Sequence, residues 1–591
     1  MHKVISHLLV TFLIIALSST SHSETNPKET RSGTESSNEV AIHVYYEQES
    51  DSWRLQYELP SMVPQIAFSR PSKVDRQNIF QINKTKFNWH TENGQLLIKS
   101  KDGSLFDSLE LSFNSNYQVP QGDYNLNVQF SDGSLLLYSN HLSLAASSHD
   151  KTEKKRPLNR YYFNAPKQHI AFMGQYQKGS AQWLESDNGS YIYFGNIKPI
   201  EDKNLVAFID PNLPPWVLKQ TEATLPQLFS FYQEKTKQKL NFKPVIFFNY
   251  ADQEQSFSNY SGGVLSGLMQ LTLNGRNWQQ KTPQLEQQLF QFLTHETAHF
   301  WNGQMFYNVN QKQAWLAEGA ADAFAFFSMY ELGLLNDNEL QAKFELAINE
   351  CVLNKGNEAL NQSMQIGRYR NYYTCGASIA LASHAALQKH NPHRSLFDLW
   401  AILFKENIKD KSYNQDEYFS VLKKLSGQTN TADLISQFVN EAETNNLNAV
   451  VNWFENTNIK LQISDNSLEQ PKFRQQYWGK QAIIELMNMH CLGHSLYQQQ
   501  DHVKTAAMRH CHVFTEDMSI YYLNNKHLVN EGIDAYRILQ SSCQTKQALL
   551  LKDQNQTPLM ELPCTRPIAE LPPYLKLKLT QPLVPTTALS E

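Results

Sequence analysis

Beyond Leu17 no stretch of the 591-residue chain is long and apolar enough to cross a bilayer. There is no internal repeat and no low-complexity tract, which disfavours a solenoid scaffold and a fibrous protein. Charge of either sign is not in excess: 52 Lys and Arg against 57 Asp and Glu leave a formal net charge of -5. Such a balance supplies no global drive toward nucleic acid or anionic membrane. The one short basic run, Lys151–Arg156, reads as a solvated loop. Cysteine is scarce, at six residues, and none lies where a lipoprotein would need one.

What is present starts with an export signal. Lys3 precedes the apolar stretch Val4–Leu17, and the small residues Ser19, Thr20, Ser21 and Ser23 offer cleavage after Ser21 or Ser23. Residues 1–23 are thus expected to be a signal peptide and 24–39 a polar, flexible leader. The expected residence is periplasmic or secreted, with no membrane span after cleavage. The cysteines fall into near neighbours that suit an oxidising compartment, with pairs 351–375, 491–511 and 543–564. A rival stays open at Cys491 and Cys511, where His490, His494, His510 and His512 would suit a second metal site.

The chain reads as multidomain α+β. Residues 40–210 carry short alternating runs such as AIHVYYEQ, WRLQYEL and SLLLYSN, punctuated by turns at Asn93-Gly94, Asp102-Gly103 and Asp132-Gly133. They predict a β-sandwich or similar all-β module. From 211 to 465 the period becomes mostly helical, and 466–591 is a smaller, mixed region.

The chemistry concentrates in His295-Glu296-Thr-Ala-His299. Thr282-Pro283 opens a helix, and Leu285, Leu289 and Phe292 continue it. Side chains four apart share a helical face, so both imidazoles can reach one ion with Glu296 beside them. Glu318, with 18 residues between it and His299, sits in a second apolar helix containing Trp315-Leu-Ala-Glu318-Gly319. Two histidines and one glutamate complete a catalytic zinc set that leaves a position for water. Gly319 would let the helices approach closely. Asp322, one turn beyond Glu318, is the natural acceptor for an imidazole N–H, that of His295.

HETAHFWN followed by WLAEG resembles the gluzincin metallopeptidases. It is most similar to the aminopeptidase N and leukotriene A4 hydrolase family and to the glycyl aminopeptidase family, the latter through Trp301-Asn302. The resemblance implies one zinc, a peptide or protein substrate, and a zinc-activated water with Glu296 as general base. It also implies an N-terminal β domain, a thermolysin-like catalytic domain and a C-terminal PDZ-like domain. Tyr373-Thr-Cys-Gly376 matches the families' Tyr-x-x-Gly pattern and makes Tyr373 the expected oxyanion donor, with Tyr369 and Tyr372 as competitors. Aminopeptidases of this kind carry Gly-x-Met-Glu-Asn on the edge strand ahead of the zinc helix. This chain has Gly267, Met269 and Gln270 at about that place, as expected substrate-binding residues. Gln270 offers no charge to a substrate ammonium, although the strand itself could pair with an extended peptide. Two alternatives stay open: a peptide-binding protein with a structural or vestigial zinc site, and a non-peptide hydrolase on the same scaffold.

Overall fold

The computed structural model describes residues 39–584 except 71–74, 93–94, 116–123, 146–157, 186–188, 255–257, 428–429, 465–471, 492–495, 500, 506–510, 569, 572 and 580–581. The signal peptide, all but the last residue of the leader, the basic run, His494 and His510 lie outside the described residues. Two compact units divide the chain: residues 459–580, and the described remainder. No described helix is long and apolar enough to cross a membrane.

In the strand Glu39–Glu47, Val40, Ile42, Val44 and Tyr46 are buried and alternate with more exposed neighbours. That is the pattern of a strand with one face on a core. It pairs antiparallel with Ser52–Val63 and parallel with Leu158–Phe172, inside a sheet of nine described strands. A second sheet of four described strands contains Gln65–Phe68 and Gln95–Ser100. Its Ile66, Phe68 and Ile98 join Ile42, Trp53, Phe113 and Phe163 in one apolar cluster, so the two sheets close over a shared core.

The sheet that positions the site runs in the order Ile200–Glu201, Val206–Ile209, Val245–Ala251, Leu268–Asn274, Asn259–Leu265. This order corrects one expectation. The Leu268–Asn274 strand, with Met269 and Gln270, is not at the edge: it pairs in parallel with Val245–Ala251 and antiparallel with Asn259–Leu265. Leu268, Met269, Leu271 and Leu273 are fully buried, the composition of a strand enclosed by neighbours rather than one facing a substrate groove. Gly267 makes the tight turn (φ 70°) that folds Asn259–Leu265 outward to become the edge of the described sheet.

Helices follow at Pro283–His299, Trp315–Glu331, Asp337–Asn354, Asn371–His390, Leu396–Glu406, Gln415–Leu425, Thr431–Asn440 and Asn446–Trp453. The Cys351–Cys375 bond ties the third of these to the fourth. Cys491–Cys511 and Cys543–Cys564 are also bonded, the pairs expected from nearness along the chain, and no cysteine is free.

In the unit 459–580, the terminal strands Ile459–Ser464 and Tyr574–Leu579 pair antiparallel. Helices Lys472–His490 and Gly532–Thr545 meet at Gly479 and Gly532, where a Cβ on either would strike the other element's surroundings. The long helix Lys472–His490 is legible in hindsight from the buried Trp478, Ala482, Ile483, Leu486 and Met487.

Candidate metal centre

The motif helix, Pro283–His299, starts where Thr282 accepts the Leu285 N–H and Pro283 takes the first turn. Leu285, Leu289, Phe290 and Phe292 are buried along it, which fixes its rotation and turns His295 and His299 toward the next helix. That helix, Trp315–Glu331, carries Glu318 in its first turn, where a carboxylate suits the helix dipole. The two helices thereby bring together three residues far apart in sequence. One donor atom each of His295, His299 and Glu318 lies within 4.8 Å of the others, and all three residues are buried. Among the described residues this is the one such cluster of His, Cys, Asp and Glu.

The tautomers can be read from the outer partners. His295 Nδ1 donates to Asp322 Oδ1 at 2.8 Å. His299 Nδ1 lies 3.0 Å from Asn302 Oδ1, and Asn302 Nδ2 donates to the Ala317 carbonyl at 2.9 Å, which fixes the amide's orientation. His299 is therefore also the donor at Nδ1. Both Nε2 lone pairs then point inward, 3.1 Å apart, with Glu318 Oε2 at 3.5 Å and 3.4 Å from them. Two converging lone pairs and a carboxylate oxygen repel one another in isolation, and a divalent cation removes that conflict. The donor set of two imidazoles and one carboxylate fits zinc. The pKa of Glu296, on the motif helix Pro283–His299, is raised by burial.

Two of the three candidate tyrosines border this cluster. The Tyr373 ring stacks on His295, with centroids 5.8 Å apart and planes 17° from parallel. Tyr369 donates to Glu318 Oε1 at 3.4 Å. Tyr372 points away: it is fully buried and donates to the Asn361 carbonyl. The structure therefore separates the competitors, with Tyr373 and Tyr369 at the centre and Tyr372 in the packing. Gln270 is turned elsewhere, onto Asn249 Oδ1 and Thr272 Oγ1. Met269 is sealed in the core and Gly267 serves a turn. The strand that flanks the motif helix is Asn259–Leu265, whose Tyr260 packs on Phe292 at 4.5 Å between ring centroids. Sequence reasoning missed Asn302 as the partner of His299, Tyr369 as the partner of Glu318, and this edge strand. Asn302 follows His299 by three residues, a spacing that could have suggested the first.

The sequence matches no protein-family model, and comparison with curated proteins found no match. Solved structures do match. The fold is shared with an aminopeptidase N family protein from Idiomarina loihiensis, at a TM-score of 0.58 and 13% identity over 92% of this chain and 98% of that one. At this identity the likeness establishes the fold alone, which in this chain is a β-rich N-terminal region followed by a helical one. An M1 zinc metallopeptidase from Deinococcus radiodurans, solved with a Tyr-Ser-Ala substrate, scores 0.39 at 12% identity over 68% of this chain and 94% of that one. Yeast LTA4 hydrolase scores 0.39 at 10% identity over 75% and 72%. Those two likenesses are too distant to bear on function.

Proposed function

We propose that this chain is an exported zinc metallopeptidase of the gluzincin kind, with His295, His299 and Glu318 holding one zinc ion. The observation that carries this is the convergence of those three donors, each with its own outer partner, beside Glu296. Zinc bound there supplies Lewis-acid activation of a water and of the scissile carbonyl. Glu296 takes the proton of the attacking water and delivers it to the leaving nitrogen, a role suited to a carboxyl whose pKa is raised by burial. Tyr373 donates its hydroxyl hydrogen to the carbonyl oxygen as that oxygen gains charge. Asp322 and Asn302 hold the two imidazoles in the tautomer the metal requires.

The substrate on this reading is an extended peptide that pairs with the Asn259–Leu265 edge by its main chain. The catalytic region is thermolysin-like in plan and the unit 459–580 is a PDZ-like module. Three disulfides fit residence in the periplasm or outside the cell.

Metal analysis of the purified protein, coupled to cleavage of a peptide library with and without a chelator, tests the reading. One zinc per chain and chelator-sensitive cleavage are expected. Glu296→Gln should keep the zinc and lose roughly a hundred- to ten-thousand-fold in turnover. A chain that takes up no transition metal, or a Glu296→Gln variant with full activity, overturns the proposal.

A further inference from the structure

Glu318 is a buried carboxylate with two oxygens in different surroundings. Oε2 faces His295 Nε2 and His299 Nε2. Oε1 faces the Tyr369 hydroxyl, which donates to it at 3.4 Å. A carboxylate free to rotate about its last torsion could present either oxygen, or both, to a cation. One oxygen held by a hydrogen-bond donor leaves the other defined.

Tyr369 is itself well placed to act as a fixed donor. Its ring meets that of Tyr372 edge-on, at 5.3 Å between centroids and 82° between planes, and that of Tyr373 at 6.0 Å and 66°. Tyr372 in turn is clamped: it donates to the Asn361 carbonyl at 3.3 Å and accepts the Met364 N–H at 3.3 Å. The Tyr372 N–H bonds back to the Tyr369 carbonyl at 3.0 Å, so the two residues share one turn. The adjacent Tyr373 differs in its surroundings. Its ring lies flat on His295, and its hydroxyl also interacts with Glu318.

We propose that the two phenols divide the work: Tyr369 is a positioning residue that holds Glu318 Oε1 so that Oε2 serves the metal, while Tyr373 is the catalytic residue. This deepens the zinc-peptidase reading and rests on it. With it, each of the three metal-binding side chains has a partner of its own: Asp322 behind His295, Asn302 behind His299 and Tyr369 behind Glu318. The last of these comes from the helix Asn371–His390 and its lead-in, so the segment that presents Tyr373 also sets the carboxylate.

The test is a zinc dissociation constant, measured by competition with a chelator of known affinity, for the wild type, Tyr369→Phe and Tyr373→Phe. Melting of the metal-free proteins and kcat at saturating zinc are measured alongside. Tyr369→Phe is expected to weaken zinc by about 10- to 100-fold, the usual effect of losing an outer partner of a metal ligand. Tyr373→Phe is expected to weaken zinc by less than about 3-fold and to lose at least about 100-fold in kcat. Zinc affinity of Tyr369→Phe within about 3-fold of the wild type would overturn the assignment, as would Tyr373→Phe losing as much affinity as Tyr369→Phe. A fall of more than about 10 °C in the melting of metal-free Tyr369→Phe would point to packing and also overturn it. A wild type that binds no zinc removes the underlying reading and this inference together. Tight wild-type binding with an unaffected Tyr369→Phe removes the inference alone.

Discussion

Gly319 and Gly376 face one another where the helix Trp315–Glu331 crosses the helix Asn371–His390. A Cβ on Gly376 would stand 2.5 Å from the Trp315 carbonyl oxygen and 2.7 Å from Gly319 Cα. No side chain can occupy that gap, and the crossing lies next to Glu318 on one helix and one turn from Tyr373 on the other. Gly376→Ala must therefore push the helices apart at the point where they set the site. The expected cost is about 1–3 kcal/mol of stability, with a loss of turnover larger than that destabilisation explains. Thermal melting and kcat measured on the same preparation check this. A variant that melts and turns over like the wild type would show that the crossing tolerates a wider spacing.

The Cys351–Cys375 bond closes a loop of 24 residues immediately before this crossing. Cross-linking a loop of that length lowers the entropy of the unfolded chain, by about 3 kcal/mol on a chain-entropy estimate. The bond also ties the lead-in of Tyr369 and Tyr373 to the helix Asp337–Asn354. Replacing both cysteines with alanine is expected to lower the melting temperature and to raise the peptide KM or reduce kcat. The double variant avoids a lone reactive thiol. Denaturant titration and steady-state kinetics measure the two effects.

Asn302 can be tested by a contrast between two substitutions. Asn302→Ala removes the acceptor of His299 Nδ1 and the donor to the Ala317 carbonyl together. Zinc affinity should fall about 10- to 100-fold. Asn302→Asp keeps an acceptor for the imidazole but sets a carboxylate oxygen against the Ala317 carbonyl. It should retain more of the zinc affinity than alanine does, at a greater cost in stability. Chelator competition and melting of the metal-free variants report the two quantities separately. Equal zinc affinities for both variants would remove Asn302 from the role of orienting His299.

How much of this was legible beforehand depends on what each part of the site is made of. His295, Glu296 and His299 share one helix, and Glu318 and Asp322 share another, so a single period of 3.6 residues was enough to foresee which side chains could converge. The acceptor role of Asn302 was hinted at by its spacing of three from His299, but Phe300–Met305 leaves the α-helical period for a π-helical turn, so that spacing alone did not fix the contact. Tyr369, Tyr372 and Tyr373 fall within one turn before and at the start of a helix, so the Tyr-x-x-Gly pattern favoured Tyr373, but without the helix's exact phase the place of Tyr369 beside Glu318 could not be foreseen. The edge strand was misplaced for a different reason. An apolar run such as Leu268–Asn274 has the composition of an enclosed strand, but the hairpin turn at Gly267 decides which arm lies outside, and the pattern on either arm does not. The helix Lys472–His490 escaped notice because the region around it mixes short strands with loops.

His384 offers a pH-dependent check on the helix Asn371–His390. It is buried, its Nε2 donates to the Leu583 carbonyl at 2.7 Å, and its Nδ1 accepts the Leu396 N–H at 3.1 Å. Both ring nitrogens are thus committed to the neutral form. Burial lowers its pKa from 6.5 to about 4, against the Leu583 carbonyl bond and the nearby Asp398 carboxylate, which act upward. Between those two pH values the unfolded chain binds a proton that the folded chain does not. Stability therefore stands in full above pH 6.5 and declines as the pH falls toward 4, by about 3 kcal/mol in total. Protonation would set a new N–H at Nδ1 against the Leu396 N–H, while the Leu583 carbonyl keeps both its donors, His384 Nε2 and Gln388 Nε2. His384→Gln should flatten this part of the stability–pH curve while lowering stability at neutral pH through imperfect packing against Phe327, whose ring lies 4.6 Å from the imidazole. Denaturant unfolding at pH 7.5, 6, 5 and about 4.5 compares the slopes. An unchanged slope in the variant would show that His384 does not carry the acid sensitivity of this helix.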